Sequence, residues 1–461
     1  MTALDTDQPI HDQIDNARKQ ADVAVPPDVR RYYAGEQDAV TTPDQRMALG
    51  DRANRDPQEN VLARCVDAMA GRLLFRRFVC EDDDVQDWLA EFGIKNRYAN
   101  EVVTNTVSSL VDGNNAMSLT WDLDERRGGR VVIHQEPWWD GKAGMYVEVD
   151  SEGIAEWAVK EWETVSKQRR RTVYLPDRIL RFVLQGEGWE PFGDDDTAVI
   201  PWTKIDGTPL GVPVVHFANA ITSRDLYGVS ALEPLLSLQD ALNGSIFDLV
   251  ASGALNAIPI YTATGVSDAD LEIGPGQVWK TGSKEAAFGM IPGGAVTALL
   301  DTYRTTKSAI ANQFPVSEHI ITGGNWPSGL ALTKVEGPMI SKVTLLGDIF
   351  GGQHVLLAHR ATEIYNAFGG GELDESAMIR IEYEPVDQLD EATMTQIDQE
   401  RVGLYRELAS LPKPLMLKTG LVTNDEADAI IAERAASQAL MFAGLDTGAF
   451  GAGTYGQGSG A

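Results

Sequence analysis

The candidate catalytic and metal-binding residues of this chain do not have the spacing of known motifs. Residues 274–281 are rich in glycine, but Trp279 stands where a phosphate-binding loop has a glycine before its lysine. Leu232 likewise stands where a nucleophile elbow has its second glycine. His354 and His359 lie five positions apart, which is not the spacing of a helical zinc site. We therefore predict no enzymatic activity, no catalytic residue, no metal and no cofactor.

Carboxylates are the one abundant group with chemical potential. The chain has 68 acidic residues against 39 basic ones, for a formal net charge of −29. A run of three at Asp194, Asp195 and Asp196 keeps open an acidic hydrolase that uses clustered carboxylates. The charge has the wrong sign for holding nucleic acid by phosphate neutralisation. A protein-binding acidic adaptor without a channel, or an acidic wall along which nucleic acid slides, both agree with it.

One basic cluster interrupts this acidic chain. Arg169, Arg170 and Arg171 follow one another closely after Lys167. A solvated strand edge is the plainest interpretation. A contact with the acidic residues of a neighbouring subunit is the second, and nucleic-acid binding is the third. We take the three arginines as the candidate subunit contact.

A long helix must position the residues near the histidines. Apolar residues recur at steps of three, four and seven along 330–368, which predicts one continuous helical face. Gly337 and Pro338 predict a kink or break, because proline lacks an N–H and clashes with the preceding turn. A loop of turn-forming residues precedes this helix: Gly323, Gly324, Asn325, Trp326, Pro327 and Ser328.

The N-terminal half contains helices followed by strands. Residues 1–60 are polar and predict an arm that docks on another surface. Residues 61–120 have helical spacing of their apolar side chains, and the acidic run 81–84 is suited to cap a helix at 85–92. From 117 to 217 the period changes to two, which predicts a mostly antiparallel sheet. The fold class is therefore α+β.

Two helices around a small β insertion follow the sheet. The first helix is expected to end near 256, and the second spans 296–314. Between them, short strands are predicted at 258–262 and 277–280. A strand is predicted at 377–383. Beyond it, 390–412 and 424–440 are expected to be helical, and the glycine-rich end to be disordered.

Compartment and solubility follow from composition. Cys65 and Cys80 are the only cysteines, and two do not make a disulfide framework, which indicates a reducing environment. No run of about 18 apolar residues occurs, so we expect a soluble protein without membrane association.

Several segments, taken in order, resemble the portal proteins of tailed bacteriophages of the long-tailed type. These segments are Arg31-Tyr32-Tyr33-Ala34-Gly35, the helix after Asn60 with Val66-Asp67, Val212-Pro213-Val214-Val215-His216-Phe217, Gly228-Val229-Ser230, Asp240-Ala241-Leu242-Asn243 and Pro327-Ser328-Gly329-Leu330-Ala331-Leu332. The resemblance covers about residues 28–440. It implies the portal fold, with an α/β wing, a two-helix stem, a β-containing clip, a long kinked helix and an α-helical crown.

The resemblance also implies domain bounds along the chain. They are an N-terminal arm at 1–60, a wing at 61–227, stem helices at 228–256 and 298–314, a clip at 257–297, a channel loop at 315–329, a long kinked helix returning to the wing at 330–389, a crown at 390–442 and a disordered tail at 443–461. Within the channel loop, the resemblance implies that 323–328 faces the channel through which DNA passes.

A ring of usually twelve copies is the assembly that the resemblance implies. Such a ring sits at the portal vertex of a capsid in the virion, after assembly in the host cytoplasm. Double-stranded DNA passes through it during packaging and ejection without sequence-specific binding. The expected partners are the terminase large subunit, the major capsid and scaffolding proteins and a head-tail adaptor protein.

Overall fold

The computed structural model describes residues 10–21, 24–38, 58–123, 129–193, 198–219, 226–256, 260–264, 284–291, 296–316, 320–321, 329–386, 413 and 431–432. The chain divides into two compact units. The first comprises Met1–Trp326 and Thr333–Val386, and the second Pro327–Leu332 and Asp387–Ala461. Nearly all of the second unit, including the predicted helices at 390–412 and 424–440 and the tail, lies outside the described residues.

Helices and strands alternate in blocks along the chain. The helices are α1 (Ile10–Ala21), α2 (Pro27–Ala34), α3 (Val61–Ala70), α4 (Asp83–Lys95), α5 (Tyr98–Asp112), α6 (Leu236–Asn256), α7 (Val296–Gln313) and α8 (Gly329–Gly369). The strands are β1 (Phe75–Cys80), β2 (Asn114–Asp122), β3 (Arg130–Glu136), β4 (Gly144–Val149), β5 (Ala155–Glu163), β6 (Arg169–Tyr174), β7 (Arg178–Gln185), β8 (Gly188–Pro191), β9 (Val199–Pro201), β10 (Val214–Ala218), β11 (Ile260–Thr264), β12 (Ala287–Ile291) and β13 (Ile379–Tyr383).

The central sheet region confirms the expected antiparallel pairing. It consists of a three-stranded sheet in the order β10-β2-β3 and a larger sheet in the order β4-β5-β6-β7-β8, with β9 added to β7. Every strand pair within these two sheets is antiparallel. The mixture of helices with antiparallel sheets is the α+β class that the sequence predicts.

Strand β1 corrects the expectation that residues 61–120 are helical throughout. It pairs with β13, whose sequence lies about three hundred residues further on, with Cys80 opposite Ile379. The expected strand at 377–383 is confirmed as β13. Six residues of strand between two helices give little periodicity, and only the distant partner stabilises them.

Side-chain caps explain where the first helices begin. The Asn60 side chain accepts a hydrogen bond from Ala63 N at 3.2 Å at the start of α3. Asp82, in the acidic run 81–84, accepts from Val85 N at 2.9 Å at the start of α4. Both satisfy an N–H that the helix itself leaves unpaired. The cap predicted for the acidic run is therefore confirmed.

The long helix α8 forms one wall of the hydrophobic core. Met339, Val343, Leu346 and Phe350 on its apolar face are essentially inaccessible to solvent, as the helical spacing predicts. The helix is continuous through Pro338, so it does not break there. A kink at Gly337 and Pro338 stays a prediction.

The N-terminal segment packs on the body of the first unit. Ile14 in α1 and Val29 in α2 belong to the core. Val25 N donates to Trp139 O at 3.0 Å in the sheet region. Helices α1 and α2 of the predicted arm therefore dock on the body of their own chain.

Candidate functional site: a helical hairpin and its polar root

A hairpin of two helices and two strands follows the sheet region. Helices α6 and α7 pack against each other, and β11 and β12 between them pair antiparallel with Ile260 opposite Ile291. The expected helix–β–helix arrangement is thus confirmed. The first strand lies two residues later than expected, and the predicted strand at 277–280 falls outside the described residues.

The start of α6 differs from the expected one. A 3-10 turn at Glu233–Leu235 comes first, and the α-helix begins at Leu236. Ser230 Oγ accepts from Leu232 N at 3.1 Å and closes the turn before it. Pro234 has no N–H to donate, which suits the first turn of a helix, where no acceptor is present.

A buried ion pair joins the hairpin to the segment that precedes α3. Lys307 Nζ on α7 donates to Glu59 Oε1 at 2.7 Å, and Tyr303 OH donates to Glu59 Oε2 at 2.7 Å. Lys307 Nζ also lies 3.0 Å from Tyr303 OH. The side chain of Lys307 is 8% exposed and that of Glu59 is 19% exposed. Helix α7 therefore supplies a donor to each carboxylate oxygen of Glu59, and Arg64 Nη1 on α3 also donates to Oε1 at 3.1 Å.

Amide side chains extend this contact to α6 and α2. Gln239 Nε2 donates to the backbone oxygen of Glu59 at 2.6 Å and to Asn243 Oδ1 at 3.1 Å. Asn243 Nδ2 in turn donates to Gln37 Oε1. We name the set of Gln37, Glu59, Gln239, Asn243, Tyr303 and Lys307 the polar root of the hairpin.

Opposite shifts of two pKa values keep the root ion pair charged. Burial alone raises the pKa of Glu59, but hydrogen bonds from Lys307 and Tyr303 outweigh it and hold that pKa below its ordinary value. Burial, the largest single cause, lowers the pKa of Lys307, but the hydrogen bonds and charge interactions with Glu59 and Tyr303 together outweigh it, so the pKa is raised. The pair is therefore ionised at neutral pH.

The Tyr-Tyr-x-Gly element at the end of α2 clamps two helices near the root. Tyr32 OH donates to Asp240 Oδ1 on α6 at 2.6 Å, and Tyr33 OH donates to Asp67 Oδ1 on α3 at 2.8 Å. Burial and the bond to Asp67 raise the pKa of Tyr33 to about 12. Gly35 ends α2 with φ of 79°, a left-handed conformation that favours glycine.

Gly228 forms a close joint between the sheet and the hairpin. A Cβ at this position would collide with the backbone of Gly113 and Asn219, so only glycine fits. Asn114 holds the joint from both sides, because its Nδ2 donates to Gly228 O at 2.9 Å and its Oδ1 accepts from Gly228 N at 2.8 Å. His216 Nε2 lies 3.0 Å from the same Oδ1.

Three apolar side chains in the described part of the hairpin are exposed. Val250 on α6 is 52% exposed, Phe288 on β12 is 40% exposed and Val296 on α7 is 36% exposed. Nearer the root, Leu242 and Ile310 are fully buried. We name Val250, Phe288 and Val296 the hairpin tip.

Strand alternation separates the three arginines of the basic cluster. Arg171 is buried and contacts Glu161 at 2.7 Å and Asp15 of α1 at 2.9 Å. Arg169 contacts Glu161 at 3.0 Å on the same face. Arg170 points to the opposite face, where its guanidinium lies 4.1 Å from the ring centre of Phe192. Arg171 thus binds within its own chain, and the subunit contact of the cluster stays a prediction.

The other predicted site residues have separate locations. The channel-loop residues Gly323, Gly324, Asn325, Trp326, Pro327 and Ser328 lie outside the described residues, as do Asp194, Asp195 and Asp196 of the hydrolase alternative.

The histidine considered as a metal ligand is part of the core. His354 Nδ1 lies 2.7 Å from Tyr98 OH, and burial lowers the pKa of His354 to about 3. Within the described ranges, no group of three or more potential ligands could hold a metal ion. None of the helices there combines the length and apolar character that a membrane span requires.

The sequence pattern missed most of the polar root. The resemblance included Asn243 and the two tyrosines of α2, but it did not include Glu59, Gln239, Tyr303 or Lys307. One signal was available, because Tyr303 and Lys307 are four apart and therefore share a face of α7. Their acidic partner comes from a segment more than two hundred residues earlier, which spacing does not reveal.

No family model matches the chain, and no curated protein matches it. Among solved structures, this chain is similar to a chain from the neck of the native GTA particle, computed with C12 symmetry. The two are 13% identical with a TM-score of 0.44, and the match covers 88% of this chain and 94% of the other. A chain from the neck of empty GTA particle with C6 symmetry is 14% identical, with a TM-score of 0.41 over 85% of this chain and 94% of that one. Similarity at this level does not identify a function.

Proposed function

We propose that this protein is a phage portal subunit. In this proposal, several copies, usually twelve, form a ring at one capsid vertex, and double-stranded DNA passes through the ring during packaging and ejection. The ring docks the terminase large subunit, the capsid and scaffolding proteins and the head-tail adaptor. The protein has no catalytic role and acts in the virion after assembly in the host cytoplasm.

The observation that carries the proposal is the rooted hairpin. Helices α6 and α7 flank a small antiparallel β unit, after a sheet region and before a 41-residue helix. This is the order in which the sequence resemblance predicts wing, stem, clip, stem and long helix. Three residues that the resemblance covers, Tyr32, Gly228 and Asn243, lie at contacts between the body and the hairpin or the joint before it.

The hairpin tip supports an assembly of copies. Val250, Phe288 and Val296 come from α6, β12 and α7, and they expose apolar surface that favours burial against another molecule. In a ring, the equivalent hairpins of neighbouring subunits are adjacent. The net charge of −29 per copy disfavours adhesion of DNA to the ring, as a conduit needs.

Deletion of residues 325–328 tests the function directly. The deleted protein is produced with the remaining particle proteins, and both ring formation and packaged DNA are measured. We expect rings at the wild-type level and a large loss of packaged DNA. A deletion of the same length within 443–461 serves as control and leaves packaging intact. Normal packaging by the 325–328 deletion contradicts the assignment of the channel loop.

A further inference from the structure

A cationic and aromatic cleft lies on the face of the large sheet opposite α1. It has a volume of about 230 Å³. Lys160, Thr172 and Arg181 lie opposite one another on β5, β6 and β7, and Arg170 lies opposite Trp162 in the next row. Phe192 closes one side. In a chain with a large acidic excess, three cations on one face are unusual.

The three cations of the cleft differ in their partners. Lys160 Nζ lies 2.7 Å from Glu136 Oε2, so its charge is balanced within the chain. Neither Arg170 nor Arg181 has a carboxylate within ion-pair distance among the residues that the structure describes. Arg181 is exposed, and the Nε–H of Arg170 is buried without an acceptor there. Within the described part of the chain, the cleft therefore contains two positive charges without an ion-pair partner.

On the opposite face of the same sheet, a cluster of arginines surrounds a carboxylate. Glu161 there receives hydrogen bonds from Arg18, Arg169 and Arg171, and α1 covers the group. A carboxylate between arginines is thus the arrangement that this sheet already contains. Among the residues that the structure describes, no carboxylate forms an ion pair with Arg170 or Arg181 on the cleft face.

We infer that the cleft binds carboxylate side chains of a second copy of this chain, with Arg170 and Arg181 as the residues that contact them. The inference rests on the proposed ring and names one of its contacts. Each copy carries 68 acidic residues, so a neighbouring copy is a ready source of the anion. The longest acidic run of the described residues, 81–84, is at the surface, and Glu81 is 86% exposed.

Aromatic residues beside the cations favour a protein side chain over a free ion. The Arg170 guanidinium stacks on Phe192, which fixes its plane and leaves its edge N–H groups for a carboxylate. Trp162 supplies apolar surface for the carbon atoms of an aspartate or glutamate. Phosphates of duplex DNA share the charge, but the acidic excess of the whole chain opposes them.

Charge reversal tests the inference in the full-length protein. The variant carries Arg170→Glu and Arg181→Glu, and the control carries Lys142→Glu and Lys167→Glu, two exposed lysines outside the cleft. Both variants change the net charge equally. Native mass measurement over a concentration series gives the concentration at half-assembly. We expect it to rise about tenfold or more for the cleft variant and less than about twofold for the control.

Further variants separate charge recognition from a folding defect. Arg170→Lys with Arg181→Lys keeps both charges, so we expect assembly to be largely retained. Arg181→Glu alone alters an exposed residue and leaves the fold intact, and we expect it to weaken assembly on its own. Salt should weaken wild-type assembly more than that of Arg170→Gln with Arg181→Gln.

Three results would overturn the inference. If the cleft variant forms rings at the wild-type concentration, the cleft is not a subunit contact, although the proposed function stands. If the wild type binds a short DNA duplex in a gel-shift assay and the cleft variant loses this binding with assembly unchanged, the occupant is nucleic acid. A wild-type chain that stays monomeric at every concentration removes both the proposed function and this contact.

Discussion

The polar root and the tip of the hairpin have opposite relations to the rest of the chain. At the root, Glu59 and Lys307 are buried, charged and bonded to each other, with Tyr303 bonded to both. At the tip, Val250 and Val296 expose apolar surface. The root therefore has its interactions inside the chain, whereas the tip gains from burial against another molecule. One element thus contains a fixed attachment to its own chain and the proposed surface for assembly.

Breaking the root ion pair should have the largest effect. Lys307→Ala removes the nearest cation from the largely buried carboxylate of Glu59 and leaves Arg64, which lies 3.1 Å from Glu59 Oε1. Loss of a hydrogen bond to a charged group costs about 1.5–3 kcal/mol of unfolding free energy. Chemical unfolding of the purified chain measures it. Arg304→Ala, on the same helix but 67% exposed, is the control and should change stability by less than about 0.5 kcal/mol. Equal losses in both variants would contradict the difference between root and surface.

Charging the tip should abolish assembly and leave the fold intact. Val250→Asp with Val296→Asp removes two apolar side chains from the proposed interface, each worth about 1.5 kcal/mol or more when buried. We expect the concentration at half-assembly to rise about a hundredfold or more. Native mass measurement gives this value, and the thermal midpoint of the unassembled chain checks the fold. Unchanged assembly would mean that the tip does not lie between subunits.

The stability that the polar root contributes should depend on pH, because both members of its ion pair titrate. The three tip residues have no titratable side chain, so they should contribute no such dependence. The folded pKa of Glu59 lies below its ordinary value of 4.5, so its contribution is complete above pH 4.5 and is lost as the pH falls through the folded value. The pKa of Lys307 is raised above 10.5, so its contribution is complete below that pH and is lost as the pH rises through the folded value.

Comparison of the wild type with Glu59→Gln measures this dependence. The difference between their unfolding free energies should be constant near neutral pH and shrink below about pH 4.5. A difference that stays the same down to the acid transition would show that the Glu59 charge is not what stabilises the root.

Alanine substitutions at two glycines should give the smallest difference in stability among these tests. A Cβ at Gly253, on α6 beyond Val250, meets no atom within 4 Å, so Gly253→Ala should stabilise the unassembled chain by about 0.5–1 kcal/mol. A Cβ at Gly347, in the packed part of α8, lies 3.2 Å from Leu73 Cδ1. Gly347→Ala should therefore gain nothing or lose stability. Chemical unfolding at low protein concentration compares them, and an equal gain at both positions would contradict this packing difference.

Local regularity explains which elements the sequence predicts. The apolar face of α8 and the ends of α7 follow from a period near 3.6, and the central strands follow from alternation. Strand β1 escapes prediction because its six residues pair with a strand about three hundred positions away. The exact start of α6 depends on the local turn around Pro234, which periodicity does not describe.

The site was predicted less completely than the fold, because its residues also meet partners that are distant in sequence. Strand alternation predicts that Arg170 and Arg171 point to opposite faces of the sheet. Only the register of β5 and β6 reveals that Glu161 lies beside Arg171. The polar root is assembled from four separate segments, so no single window of sequence contains it. Tyr32, Tyr33 and Gly35 were available as a motif, and the structure supplies its physical basis as a clamp on α6 and α3.

Electron microscopy of the purified full-length protein tests the central claim most directly. The proposed portal function predicts closed rings with an axial channel wide enough for duplex DNA and with the hairpin tips of adjacent copies in contact. A monodisperse monomer under all conditions, or a closed assembly without an axial channel, would contradict it.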